Sequence, residues 1–317
     1  MDDHHFDTLP RPRSAVTRRT ALAGLGASAL GLVVARAARP IAAQDDPAAS
    51  LQSEDDVVYG TVEGGALLLN VVRPADRPDP RPAVVLVHGG GLVQGTRWDH
   101  GEAAAGLAQA GYATFSIEYR LFDAANPTTR WPAQLDDVQR AVRWVRANAA
   151  TYGVDPERVG AFGFSSGGQL AAFLGTRDTR DNSDLALASY SSKATCVVTM
   201  GGLFDFTFPN ANSNSAETDA EILGGSAAAL PAPAAYQDFS PITFVDGASA
   251  PFLILQEGND DVVPSEHSRR MVAALQAAGV QISYSWFPAY AHDAWFSWAP
   301  AAPETLAFFG RHLRPDA

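Results

Sequence analysis

The sequence predicts a doubly wound α/β domain, and three observations carry that expectation. Apolar runs of strand length alternate with stretches of helical periodicity through most of the chain. The strongest run, Ala83–His88, is continuously apolar and ends in a glycine cluster, as expected of a strand buried on both faces. Strands and helices alternate after it apart from one long stretch, which calls for a mostly parallel sheet covered by helices on both sides.

Taken in order, Val57–Tyr59 and Leu67–Val72 read as short antiparallel strands, the second closing at Arg73-Pro74. Ala83–His88 follows, then a helix over Asp99–Ala110 stopped by Gly111, and a strand at Thr114–Ile117. Leu135, Val138, Val142 and Val145 form a helical stripe within Gln134–Asn148. Arg158–Phe164 is a strand that runs directly into a helix, Ser165–Leu174. Ala194–Met200, Phe252–Gln256 and Ile282–Phe287 are three further strands, with helices at Ser265–Ala278 and Pro303–His312. The stretch at about 203–250 breaks the rhythm: it is rich in Phe and Pro, has the polar run Asn210–Thr218, and reads as a lid or small cap.

The front of the chain has a different character. Arg18-Arg19 precedes an Ala/Gly/Leu run from Ala21 to Ala38, followed by small residues at Ala42-Ala43. A basic region, a weakly apolar stretch and a small-residue end describe an export signal over 1–43. The paired arginines resemble a twin-arginine signal, and the expected location is periplasmic or extracellular. Residues 44–56 read as a polar, acidic leader, and 57–317 as the folded domain with its insertion.

The formal net charge of -12 works against nucleic-acid partners. Residues 1–43 hold six of the 23 basic groups and three of the 35 acidic ones, so the remainder carries 17 against 32. Such a surface also disfavours docking on anionic membrane once a signal is removed. The one cysteine, Cys196, rules out an intramolecular disulfide and reads as a small core residue. No His/Cys cluster has metal-ligand spacing, Asp55-Asp56 and Asp136-Asp137 read as leader and helix-surface charges, and no phosphate or dinucleotide loop is present. The expectation is a protein without cofactor or metal.

The chemistry concentrates in four places. Gly163-Phe164-Ser165-Ser166-Gly167-Gly168 stands where a strand becomes a helix, and a sharp turn there projects Ser165 as a nucleophile. The Ser166 amide, at the helix start, is a candidate oxyanion donor. His88-Gly89-Gly90-Gly91 ends an earlier strand, with Gly90 and Gly91 as further donors and His88 shaping the loop. A base must come late in the order Ser, acid, His, and His292 follows the last core strand on a loop. The acid belongs to the loop after Phe252–Gln256, where Asp260 is favoured over Asp261, with Glu257 a third candidate and Asp205 a fourth. Phe204, Phe206, Trp295 and Trp298 are candidates either for pocket walls or for core packing.

Together His88-Gly-Gly-Gly, Tyr119-Arg120, Asp155-Pro-Glu-Arg-Val159, Gly163–Gly168, Asp260 with Val263-Pro264, and His292 resemble the α/β-hydrolase esterase/lipase superfamily. The likeness extends to its hormone-sensitive-lipase-like and bacterial feruloyl- or acetyl-esterase-like branches, and spans about residues 57–313. It implies an α/β-hydrolase fold and a serine carboxylic-ester hydrolase acting on short-chain or polysaccharide-linked acyl esters. Two departures stand out: Gln256-Glu257 replaces a frequent His-Gly, and Ser166 a frequent Ala. A prolyl-oligopeptidase-like peptidase and an inactive hydrolase-fold binding protein are the alternatives. The first would need a propeller for which there is no room before the triad. The second would need a lost triad member.

Overall fold

Side chains of successive strand residues point to opposite faces of a sheet, so a strand buried on both faces needs a helical layer on each side. The computed structural model meets that demand, and describes residues 50–63, 65–75, 80–209, 211, 216–226, 228–292 and 298–314. The export signal at 1–43 and the first part of the leader, 44–49, lie outside the described residues.

Eight strands form one sheet: β1 (Leu51–Val62), β2 (Gly65–Pro74), β3 (Arg81–Val87), β4 (Ala113–Ile117), β5 (Val154–Phe164), β6 (Val197–Met200), β7 (Phe252–Glu257) and β8 (Ile282–Phe287). Their spatial order is β1-β2-β4-β3-β5-β6-β7-β8. β1, β2 and β4 pair antiparallel, and every pair from β4–β3 onward is parallel. This is the α/β-hydrolase fold. The main helices are α1 (Gly101–Gln109), α2 (Ala133–Ala147), α3 (Ala149–Tyr152), α4 (Ser166–Thr176), α5 (Ala216–Ile222), α6 (Pro233–Asp238), α7 (Glu266–Ala277) and α8 (Ala302–Leu313).

Alternation along the strands sorts the core into two layers. Val85, Val87, Phe115, Ala161 and Ile254 face one side and meet Leu135, Val138 and Val142 of α2, Leu170 and Phe173 of α4, and Met271 and Leu275 of α7. Val84, Leu86, Phe162, Val198 and Leu253 face the other and meet Leu107 of α1 and Phe308, Phe309 and Leu313 of α8. Cys196 is buried in this second layer, where desolvation pushes its thiol pKa up and leaves it inert. Among the described residues no helix is long and apolar enough to cross a membrane.

Three details differ from the sequence reading. The leader and first strand are not separate, because Leu51–Asp56 belongs to β1 and pairs in register with β2 as far as Glu54. Asp137 is not a surface charge. It is buried on α2 and receives Nε and Nη2 of Arg120 at 2.8 and 2.7 Å, and the Arg120 amide as well. Burial nevertheless raises the Asp137 pKa above the usual carboxylate range. That pair ties the chain following β4 to α2.

The third difference concerns the stretch read as a lid. Its described parts pack into the α4–α7 layer as the crossover from β6 to β7. Phe204 is fully buried, and Phe206 packs at a tilt against Phe239 with centroids 4.5 Å apart. Phe239 in turn meets the Trp131 ring edge-on at 4.9 Å, and the Gln169 amide of α4 donates to its carbonyl at 2.7 Å. Phe204 and Phe206 are therefore core residues and not pocket walls. Their aromatic character suited both roles, and only packing could distinguish them.

Candidate active site

β5 delivers the chain to Ser165 at the carboxyl edge of the sheet. Ser165 adopts φ 55°, ψ -126°, a conformation that costs a side-chain-bearing residue about 1–3 kcal/mol and persists only where neighbours impose it. Here its amide donates to the Met200 carbonyl at 2.9 Å, and its carbonyl receives the Gln169 amide at 3.1 Å as α4 begins. The turn is tight enough that Gly163 and Gly167 cannot carry a side chain. A Cβ on Gly163 would overlap the Gly167 carbonyl, and one on Gly167 would overlap the carbonyls of Val87 and His88.

That same closeness brings the glycine loop to the serine. A Cβ on Gly89 would lie 2.9 Å from the Phe164 oxygen and 3.1 Å from Ser165 Cβ. Gly90 and Gly91 take φ of 104° and 63°, which turns the backbone away from ladder geometry. Ser166 is the first residue of α4, and its Oγ accepts the Leu92 amide at 3.4 Å. A serine in place of alanine thus pins the glycine loop to the helix start. His88 stacks on Tyr119 at 4.3 Å, and the Tyr119 hydroxyl donates to the His88 carbonyl at 3.0 Å. Burial lowers the His88 pKa, in keeping with a neutral, loop-shaping ring.

His292 reaches over this turn from the loop after β8. Its Nε2 is 3.0 Å from Ser165 Oγ, and its Nδ1 is 2.8 Å from Asp260 Oδ2. The Phe164 ring packs against the imidazole at 4.9 Å. Asp260 follows β7 with its side chain only 1% exposed. Its Oδ1 accepts the amides of Val262 and Val263 at 2.9 and 2.7 Å, which leaves Oδ2 aimed at the histidine. Asp261 is exposed on the same loop. Asp205 is occupied elsewhere: Arg270 Nε donates to it at 2.7 Å, and Thr207 caps its other oxygen. Ser165, His292 and Asp260 therefore form one hydrogen-bonded chain beside the glycine loop. Such a chain can pass a proton from a serine hydroxyl to an imidazole.

A cavity of about 270 Å³ opens beside the turn, lined by Gly89, Gly90, Gln94, Gly95, Asp99, His100 and Phe164. Burial lowers the His100 pKa to about 4, and the ring Nε2 lies 3.1 Å from the Val87 carbonyl, to which a neutral His100 donates. Gln94, Asp99 and His100 had no motif to mark them; only their position around the glycine loop brings them to the site. Trp298 lies further off. It is half-buried against Phe162 and α1, and its amide donates to Glu102. Trp295 lies outside the described residues.

Residues 69–275 match the model of the BD-FAE family. The chain belongs to that family. It is similar to the esterase LipC of Mycobacterium tuberculosis (strain ATCC 25618 / H37Rv), with 32% identity over 74% of this chain and 58% of LipC. The esterase LipQ of the same strain shares 29% identity over 74% of this chain and 55% of its own length. The chain thus spans little more than half the length of these curated relatives. Among solved structures, a truncated carbohydrate esterase from gut microbiota superposes with a TM-score of 0.69. That match has 26% identity and covers 84% of this chain and 98% of the other.

Proposed function

We propose that this BD-FAE family member is a serine carboxylic-ester hydrolase in which Ser165 is the nucleophile, His292 the general base and Asp260 the orienting acid. The single observation that carries the reading is the unbroken contact chain from Ser165 Oγ through His292 to Asp260. The names of the relatives, esterases and a carbohydrate esterase, support the same reaction class.

In this mechanism Ser165 Oγ attacks the ester carbonyl carbon while His292 Nε2 takes the hydroxyl proton. The carbonyl oxygen becomes an oxyanion, held by the amides of Gly90, Gly91 and Ser166. A single donor in such a hole is typically worth about 10²–10³ in rate. The tetrahedral adduct collapses as His292 returns the proton to the departing alkoxide, which leaves as an alcohol. Water then repeats the cycle on the Ser165 acyl ester and releases the acid. Asp260 stabilises the imidazolium and holds its tautomer without taking the proton.

The substrate proposed is a short-chain or polysaccharide-linked acyl ester. The cavity of about 270 Å³ beside the glycine loop has room for a small acyl group. We further propose that residues 1–43 export the chain by the twin-arginine route.

The test is hydrolysis of p-nitrophenyl esters of increasing acyl length, acetylated xylan and methyl ferulate, run beside Ser165→Ala. The expected result is turnover of short esters and a loss of at least about 10⁴-fold in kcat for the variant. Undiminished ester hydrolysis by Ser165→Ala would overturn the mechanism, and turnover confined to peptides would overturn the reaction class.

A further inference from the structure

The strand that leads to Asp260 ends on a second buried carboxylate. Glu257, the last residue of β7, is 1% exposed, although glutamate is among the residues least often buried completely. Its neighbourhood is defined by Gly201, which follows β6 with φ 50°. A Cβ on Gly201 would stand 3.1 and 3.2 Å from the two carboxylate oxygens of Glu257 and 3.3 Å from Cε1 of His292. The carboxylate and that edge of the ring therefore flank one point, and glycine keeps a side chain from standing between them.

We infer that Glu257 is a positioning residue whose carboxylate stabilises the charged form of His292 from its Cε1 edge. The inference rests on His292 being the base. When the imidazole takes the Ser165 proton, positive charge spreads over both nitrogens and the carbon between them. Asp260 meets that charge at Nδ1, and Ser165 with the reacting ester occupies the Nε2 side. The Cε1 edge is the remaining polarised edge, and Glu257 stands on that side. A second negative charge at this range favours the imidazolium.

Asp260 and Glu257 come from the end of β7 and its loop, with Asp261 exposed beyond them. Ser165 and the apolar Phe164 come from the turn after β5. Among the described residues, Asp205 after β6 and Arg270 of α7 are paired with each other. Gln256, beside Glu257, turns away: its Oε1 accepts the Ser268 hydroxyl at 2.5 Å, and its Nε2 donates to the Glu257 carbonyl.

The test compares kcat/KM for p-nitrophenyl acetate against pH in wild type, Glu257→Gln and Glu257→Asp. Removing the charge makes His292 easier to deprotonate, so the acid limb for Glu257→Gln is expected about 0.5–1 pH unit lower. Its kcat should drop several-fold at the plateau while KM stays within about twofold. Glu257→Asp, which keeps the charge but draws it back, should return the midpoint most of the way to the wild-type value. An independent readout needs no activity: titration of the His292 Cε1–H resonance, assigned by its loss in His292→Asn, should move by the same amount. An unmoved or raised midpoint in folded Glu257→Gln, by either readout, would overturn the inference. If instead Ser165→Ala kept full ester hydrolysis, the base assignment itself would fall, whatever the resonance did.

Discussion

Two adjacent carboxylates, Asp260 and Asp261, have the same chemistry and nearly the same place in the chain, yet only one contacts His292. The difference is made by backbone amides. Val262 and Val263 donate to Asp260 Oδ1, so the side chain is locked before His292 arrives, and its second oxygen has one direction left. Asp261 points outward on the same loop. Asp260→Asn keeps the shape but can present an N–H to Nδ1, favouring the wrong tautomer. It is expected to cut kcat by about 10⁴-fold, a loss known for a triad acid changed to its amide. Asp261→Asn should leave kcat/KM within about twofold. Steady-state kinetics on both variants, with circular dichroism to confirm folding, check the pair.

At the scale of elements, α7 holds the crossover from β6 through a buried histidine as well as the Arg270–Asp205 pair. His267 is fully buried; its Nδ1 accepts the amides of Phe204 and Asp205 at 3.0 and 3.1 Å, and its Nε2 donates to the Ala211 carbonyl at 2.6 Å. Accepting at Nδ1 requires the neutral ring, and burial holds its pKa down to about 4 against an ordinary 6.5. The unfolded chain therefore binds this proton more tightly than the folded one. Stability contributed here is complete above about pH 6.5 and is lost as pH falls toward 4. His100, held to about 4, and His88, also lowered, act in the same direction, so a comparison is needed to isolate His267. Thermal melts between pH 4 and 7.5 should show a shallower acid decline for His267→Gln than for wild type. At neutral pH the variant should be less stable by about 1–3 kcal/mol, the cost of buried amides left without an acceptor.

For the whole molecule, the charge and the front of the chain bear on where it works. A net charge of -12 repels polyanions and favours neutral substrates over nucleic acid. The proposed export signal makes a separate demand, because a twin-arginine pathway reads the guanidinium pair and not merely positive charge. Replacing Arg18 and Arg19 together by lysine should retain the precursor in the cytoplasm. Cell fractionation with esterase assay and immunoblot reads the outcome; unchanged export would point to a different route.

What the sequence determined by itself was whatever depends on local order along the chain. Apolar runs and helical stripes marked the eight strands and helices α1, α2, α4, α7 and α8, because burial on two sides leaves a pattern in consecutive residues. The place of Ser165 at a strand-turn-helix junction was legible because so tight a turn needs glycines at 163 and 167, where any Cβ would strike backbone. His292 was legible from its place after the last strand. Tertiary structure decided what depends on residues far apart meeting. Phe204 and Phe206 went to the core because Phe239 and His267 come to meet them. Asp137 was buried because Arg120 arrives from β4, and Leu51–Glu54, read as leader, joined β1 because β2 pairs with them. Glu257 was a third candidate for the acid, and it is Asp260 that contacts His292 Nδ1. Only the approach of Gly201 and His292 from other strands put its carboxylate beside the imidazole, a meeting that no spacing along the chain could encode.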